Sequence, residues 1–273
     1  MTSYSLYYWK NRRTMQSCAS LFSLALVCGL LALAGGLLQL APLVPAVGLV
    51  VRGTRCWSDK FDRAQSFTTT PGMNGWTIKD TSSAGTPTYL CMTEDGGAAA
   101  LTLDATSEAQ VVTLYQNDVL MFDVRMIQHF RAIVQVSGID AVTTLVVGLG
   151  AAQNDTADSV ATNAWFRMQG SVSTTALVVE TDDATTDNDD KASGQTLAAV
   201  YKLLHIDFTR GLTDVRFFID GERVAEGTTF DMSALSAGLN VQPFVQLQKA
   251  SGTGTPAVKI ALMEVDYKYA LGA

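Results

Sequence analysis

The densest chemistry in the sequence is the run Thr181–Lys191, TDDATTDNDDK. It gathers Asp182, Asp183, Asp187, Asn188, Asp189 and Asp190. Oxygen ligands crowded into a short loop suit a hard cation, so the five aspartates are candidate calcium ligands. The order is not that of an EF-hand, because the glycine and the closing glutamate are missing. The competing reading is a solvated polar loop. A second group, Gln153-Asn154-Asp155-Thr156 with Asp158, could contact a ligand or a neighbouring subunit. Asn and Asp side chains also bond their own backbone two residues on, so turn capping competes with that role. Trp76, Tyr115 and Trp165 could stack on a sugar, or fill a core as aromatics do in sandwiches. Trp165, Asn154 and Asp155 are therefore the ligand or interface candidates.

Other reactive side chains are sparse. His129 and His205 lie far apart and have no ligand-spaced Cys or His neighbour, which argues against zinc. Asp207 follows His205 by two positions and could pair with it. The four cysteines, Cys18, Cys28, Cys56 and Cys91, form no CxxC. Cys56 and Cys91 read as free thiols or as a disulfide, and spacing does not decide. No catalytic constellation emerges. The expectation is a protein that is not an enzyme, with no catalytic residue and no cofactor beyond the calcium candidate.

These groups need elements to hold them. Leu203–Ala225 reads as three strands, with Leu204, Ile206 and Phe208, then Val215, Phe217 and Ile219, in alternation. Asp220-Gly221 supplies the positive φ angles of a two-residue hairpin. From Trp57 onward about a dozen short strands recur, and helix is confined to Asp158–Ala161 and Met232–Ala237. Leu145-Val146-Val147 and Leu177-Val178-Val179 are apolar on both faces, which predicts central strands with one face under loops or another subunit. A parity switch near Leu262 predicts a bulge. The fold class expected is all-β, an antiparallel sandwich.

Net charge is −7, with 16% of residues charged. That balance argues against nucleic acid, which needs clustered Lys and Arg. No charged residue occurs from Thr14 to Val51, and residues 21–51 are almost wholly apolar, enough to span a bilayer. The reading is an N-terminal segment, 1–57, with helical character, followed by a domain over 58–273. The segment is a signal, a membrane anchor, an arm on a partner, or a start assigned too far upstream.

Phe61-Asp62, Trp76, Leu204–Phe208, the Asp-Gly hairpin and the closing Met263-Glu264-Val265-Asp266-Tyr267 together resemble the concanavalin A-like lectin/glucanase superfamily, laminin-G-like modules included. The resemblance implies a jelly roll. Glucanases of that superfamily use paired Glu residues on one strand; here Glu264 and Asp266 share a face but lack a second Glu. A narrower resemblance, carried by Phe61–Thr69, Gly75–Tyr89, Ala151–Ser171, Val179–Gly194 and Val245–Pro256, is to structural proteins of tailed bacteriophages. It implies a virion component, a decoration (cement) protein on the capsid surface. Its partners would be the major capsid protein and further copies of itself, as a homo-oligomer such as a trimer. The alternative is a secreted or membrane-anchored lectin-like module, or a phage fibre, that binds glycan.

Overall fold

The computed structural model of the chain describes residues 51–63, 66–92, 94–235 and 240–271. The apolar stretch before residue 51 lies outside the described residues. Among the described residues no helix is long and apolar enough to cross a membrane.

The strands are β1 (Val51–Asp59), β2 (Thr77–Asp80), β3 (Thr88–Met92), β4 (Ala98–Thr102), β5 (Gln110–Tyr115), β6 (Phe122–Asp123), β7 (Ile127–Ser137) and β8 (Thr143–Gly150). They continue with β9 (Asn163–Gln169), β10 (Ala176–Asp182), β11 (Asp187–Thr196), β12 (Lys202–Asp207), β13 (Arg216–Ile219), β14 (Glu222–Val224), β15 (Asn240–Lys249) and β16 (Ala257–Leu271). They form two antiparallel sheets. The first runs β14-β13-β12-β7-β16-β4-β3, with β1 also on β16. The second runs β11-β10-β9-β8-β15-β5-β2, with β6 also on β15. The expected all-β jelly-roll sandwich is the fold observed.

Alternation explains the packing. Phe130, Ala132, Val134 and Val136 of β7 face inward, as do Leu204 and Ile206 of β12 and Phe217 and Ile219 of β13. Leu145, Val147 and Leu149 of β8 and Phe166 and Met168 of β9 meet them from the second sheet. Phe166 packs edge-on to Phe217 across the interface, with centroids 5.4 Å apart. Asp220 and Gly221 have φ of 52° and 88°, as the two-residue hairpin requires. The register slips between Ile260 and Leu262 against β7, which is the expected bulge.

Three expectations change. The sandwich includes β1, which begins at Val51, ahead of the expected Ser58. β1 joins because its whole length pairs with β16, from Val51↔Leu271 to Asp59↔Met263. The acidic run is not a loop. Asp182 ends β10, Asp187–Asp190 belong to β11, and only residues 183–186 form the turn. Turn bonds to the two Asp side chains and a sheet partner on each arm outweigh the low strand propensity of aspartate. The helical piece near Asp158 is a single 3-10 turn, Ala157–Ser159. Met232–Leu235 carries one turn, and residues 236–239 lie outside the described residues.

Candidate functional site

The outer face of the second sheet collects most of the residues singled out by type. One row crosses five strands there: Tyr115, Phe244, Gly148, Trp165 and Glu180. Gly148 leaves space between two rings, and Trp165 and Phe244 tilt together with centroids 5.9 Å apart. The β8–β9 connection packs back over this row, and Ala157 and Val160 join Tyr115, Val146, Trp165 and Phe244 in a small second core. Val146 thus has the covered outer face that its two-sided apolar strand predicted. Trp165 and Trp76 are fully buried and Tyr115 nearly so. The Trp165 ring is enclosed by protein, so it offers no stacking surface for a sugar.

Asn154 and Asp155 sit on the covering connection. Asn154 Oδ1 accepts from the Thr156 N–H at 2.9 Å, a turn bond. Asp155 pairs with Lys79 at 3.1 Å and accepts from Gln153 Nε2 at 2.8 Å. Burial pushes the Asp155 carboxyl up, but Gln153 and Lys79 outweigh it and hold the group below the usual range. Gln246 Nε2 donates to the Asn154 carbonyl at 2.8 Å and pins the connection to β15. These residues fix the cover in place.

Beside Trp165 lies a charged cluster that reading by type missed. Arg167 Nη1 meets Asp158 at 2.6 Å, Glu180 at 3.2 Å and Asp190 at 3.7 Å. The Arg167 and Glu180 side chains are only 7% and 3% exposed, whereas Asp158 and Asp190 reach solvent. Asp190 gets there because it adopts φ 47° in a register slip of β11. Burial lifts the Glu180 carboxyl to about 7, against the pull of Trp165 and Arg167. Burial raises the Asp190 carboxyl as well, against the pull of Arg167. Arg167 Nε and Asn163 Oδ1 are buried with no hydrogen-bond partner in the protein. A partial signal was available: Arg167 is the lone charge of the apolar strand NAWFRMQ, and Glu180 directly follows the apolar run ALVV, a pattern that demands a buried partner.

The calcium candidates do not converge. Asp182 Oδ1 accepts from the Ala184 N–H. Asp183 is buried and accepts from the Thr185, Thr186 and Ala234 N–H groups. Both are consumed by the turn. Asp187 rises to about 6, by burial and then by its bond with Asp189. Asp190 is drawn to Arg167.

The first sheet carries its own polar face. Arg131 Nη1 bridges Glu264 at 2.5 Å and Asp266 at 2.7 Å. Cys56 lies beside them, and its Sγ and the two carboxylates fall within 4.8 Å of one another. Burial, then the two carboxylates, push the Cys56 thiol up to about 12. That trio is a thiol and an occupied carboxylate pair, a poor cation site as it stands. Cys56 forms no disulfide with Cys91. His205 does not take Asp207 as partner. Its Nε2 meets His129 Nδ1 at 3.1 Å, and Asp207 Oδ1 lies 3.6 Å from the same Nδ1.

No protein-family model and no curated protein matches the chain. Solved structures do. A protein of unknown function from Shewanella oneidensis MR-1 superposes with a TM-score of 0.53 at 11% identity, covering 79% of this chain and 87% of that one. A structure reported for the endo-acting O-glycanases with which human gut microbiota initiate mucin breakdown gives 0.53 at 8% identity, over 77% and 98%. A glycoside hydrolase family 16 endo-glucanase from Bacteroides ovatus gives 0.51 at 10% identity, over 77% and 99%. The likeness is one of fold. It corrects the expectation of a non-enzyme, because hydrolases are built on this same sandwich. It does not supply their residues: among the described residues no strand carries two glutamates. What the comparisons establish is that the chain has the jelly-roll sandwich architecture on which these structures are built.

Proposed function

We propose that this chain is a carbohydrate-recognition domain that binds glycan at the rim where Asp158, Asp190 and Arg167 meet on the outer face of the second sheet. The observation that carries the proposal is the likeness of fold, which spans nearly the whole length of two structures reported for glycan-degrading proteins. That likeness favours glycan recognition over capsid decoration. The rim has suitable chemistry. Asp158 and Asp190 expose 61% and 37% of their side chains beside a guanidinium, and paired acceptors next to a donor match vicinal sugar hydroxyls.

Hydrolysis is a second reading, favoured by Glu180. A carboxyl held near 7 keeps the proton that a general acid must deliver. Because Glu180 is 3% exposed, substrate would reach it only if the β8–β9 connection moved.

The test is glycan-array binding by the full chain, repeated with Asp158→Ala/Asp190→Ala, alongside reducing-end release from β-glucan and mucin glycans. Retention on a defined glycan class, weakened at least tenfold in the variant, supports the proposal. Retention on no glycan, or recovery of the protein as a lattice component of phage particles, overturns it.

A further inference from the structure

The chain has two histidines, and the fold brings them together. They stand on neighbouring strands of the first sheet, His129 on β7 and His205 on β12, in diagonal positions of one face. We infer that His129, His205 and Asp207 form a binding site for a divalent metal ion of the zinc type. This inference is independent of glycan binding, which concerns the other sheet.

The donor set fits. Two imidazole nitrogens on one tetrahedral zinc, with bonds of about 2.0–2.1 Å, lie about 3.3 Å apart. Here Nδ1 of His129 and Nε2 of His205 are 3.1 Å apart. Asp207 Oδ1 stands 3.6 Å from His129 Nδ1 but outside 4.8 Å of His205 Nε2, so it becomes the third donor only when its side chain turns toward the pair. His205 and Asp207 are alternate residues of one strand and His129 lies directly across from Asp207, so the backbone register places all three on one face. Two imidazoles and a carboxylate are nitrogen-rich, which selects zinc-like ions over calcium or magnesium.

The surroundings hold the site ready. Phe218 stacks on the His205 ring at 5.2 Å and 23°, fixing its plane. The Thr209 N–H donates to Asp207 Oδ1 at 2.8 Å. Asp266 flanks His129 on the other side, directly opposite it on β16. The neighbouring cations are engaged: Arg131 by Glu264 and Asp266, and Arg216 by Asp214 at 2.5 Å. Asp207, Asp266 and Glu264 leave the local charge negative around two neutral rings.

The experiment is calorimetric titration of the full chain with Zn2+ after chelator treatment, with Co2+ absorption to report the ligands. His129→Gln, His205→Gln and Asp207→Asn are titrated in parallel, and each is first shown by thermal melting to fold. The expected result is one Zn2+ per chain, lost in either histidine variant and weakened about 10- to 100-fold in Asp207→Asn. Co2+ should give visible bands without thiolate charge transfer, and excess Ca2+ should not compete. Absence of stoichiometric Zn2+ binding overturns the inference. So does binding that persists in both histidine variants, or that shows thiolate charge transfer, because the ion is then on the cysteines.

Discussion

Arg167 and Glu180 face each other across β9 and β10 at 3.2 Å, and both are buried on the covered face of a sheet. Removing the guanidinium leaves the buried Glu180 carboxyl without its partner, and at a pH well above 7 leaves it as an uncompensated charge. Arg167→Met is expected to lower unfolding free energy by about 3–5 kcal/mol. Arg167→Met/Glu180→Leu should recover most of that loss, because the desolvation cost then disappears from both sides. Urea denaturation of the two variants checks both statements.

Glu180 also sets a pH dependence. Its carboxyl titrates at 4.5 in the unfolded chain and at about 7 in the fold. The folded state therefore binds the proton more tightly. The contribution is fully present below 4.5 and is lost as pH rises through 7. Glu180→Gln, which cannot ionise, should match the wild type below that window and become increasingly the more stable of the two as pH rises through it, as read by denaturation at a series of pH values.

His205 works in the opposite direction. Burial, then Arg131 and His129, push it down from 6.5 to about 4. Its contribution is present above 6.5 and is lost as pH falls through 4, because the unfolded chain takes up the proton first. In chelator, His205→Phe should flatten the loss of stability between pH 6.5 and 4, measured by the shift in urea midpoint.

Trp165 holds the cover as well as the core. Trp165→Ala is expected to cost about 3–5 kcal/mol. Hydrogen exchange should accelerate selectively over residues 151–162, since Ala157 and Val160 lose the ring they rest on.

Alternation and turn chemistry made the architecture legible. The β12–β13–β14 meander, the Asp220-Gly221 turn and the Leu262 bulge all follow from local patterns. β1 did not, because strand membership there is decided by a partner more than 200 residues away. The acidic run misled because hydrophilicity was taken for a loop, whereas Thr181, Asn188 and Lys191 pair as a hairpin. Of the site, Asn154 and Asp155 could be placed from turn propensity. The need of Arg167 and Glu180 for buried partners was legible, but which partners they meet, and the meeting of His129 with His205, were not, since each depends on cross-strand register. Spacing along the chain is a poor guide to zinc ligands when a sheet supplies the proximity.

β11 is one end strand of the second sheet, and its make-up bears on how that edge would meet another strand. An open strand edge offers unpaired backbone groups to any other chain. Here that edge presents Asp187, Asp189, Asp190 and Lys191 and is bent by a register slip at Asp190, features that disfavour extension of the ladder by a second copy. The guard depends on charge, and burial together with Asp189 holds Asp187 at about 6. Mild acid should therefore remove the Asp187 charge from the edge before the sandwich itself fails, and light scattering through pH 6 would register the self-association that follows.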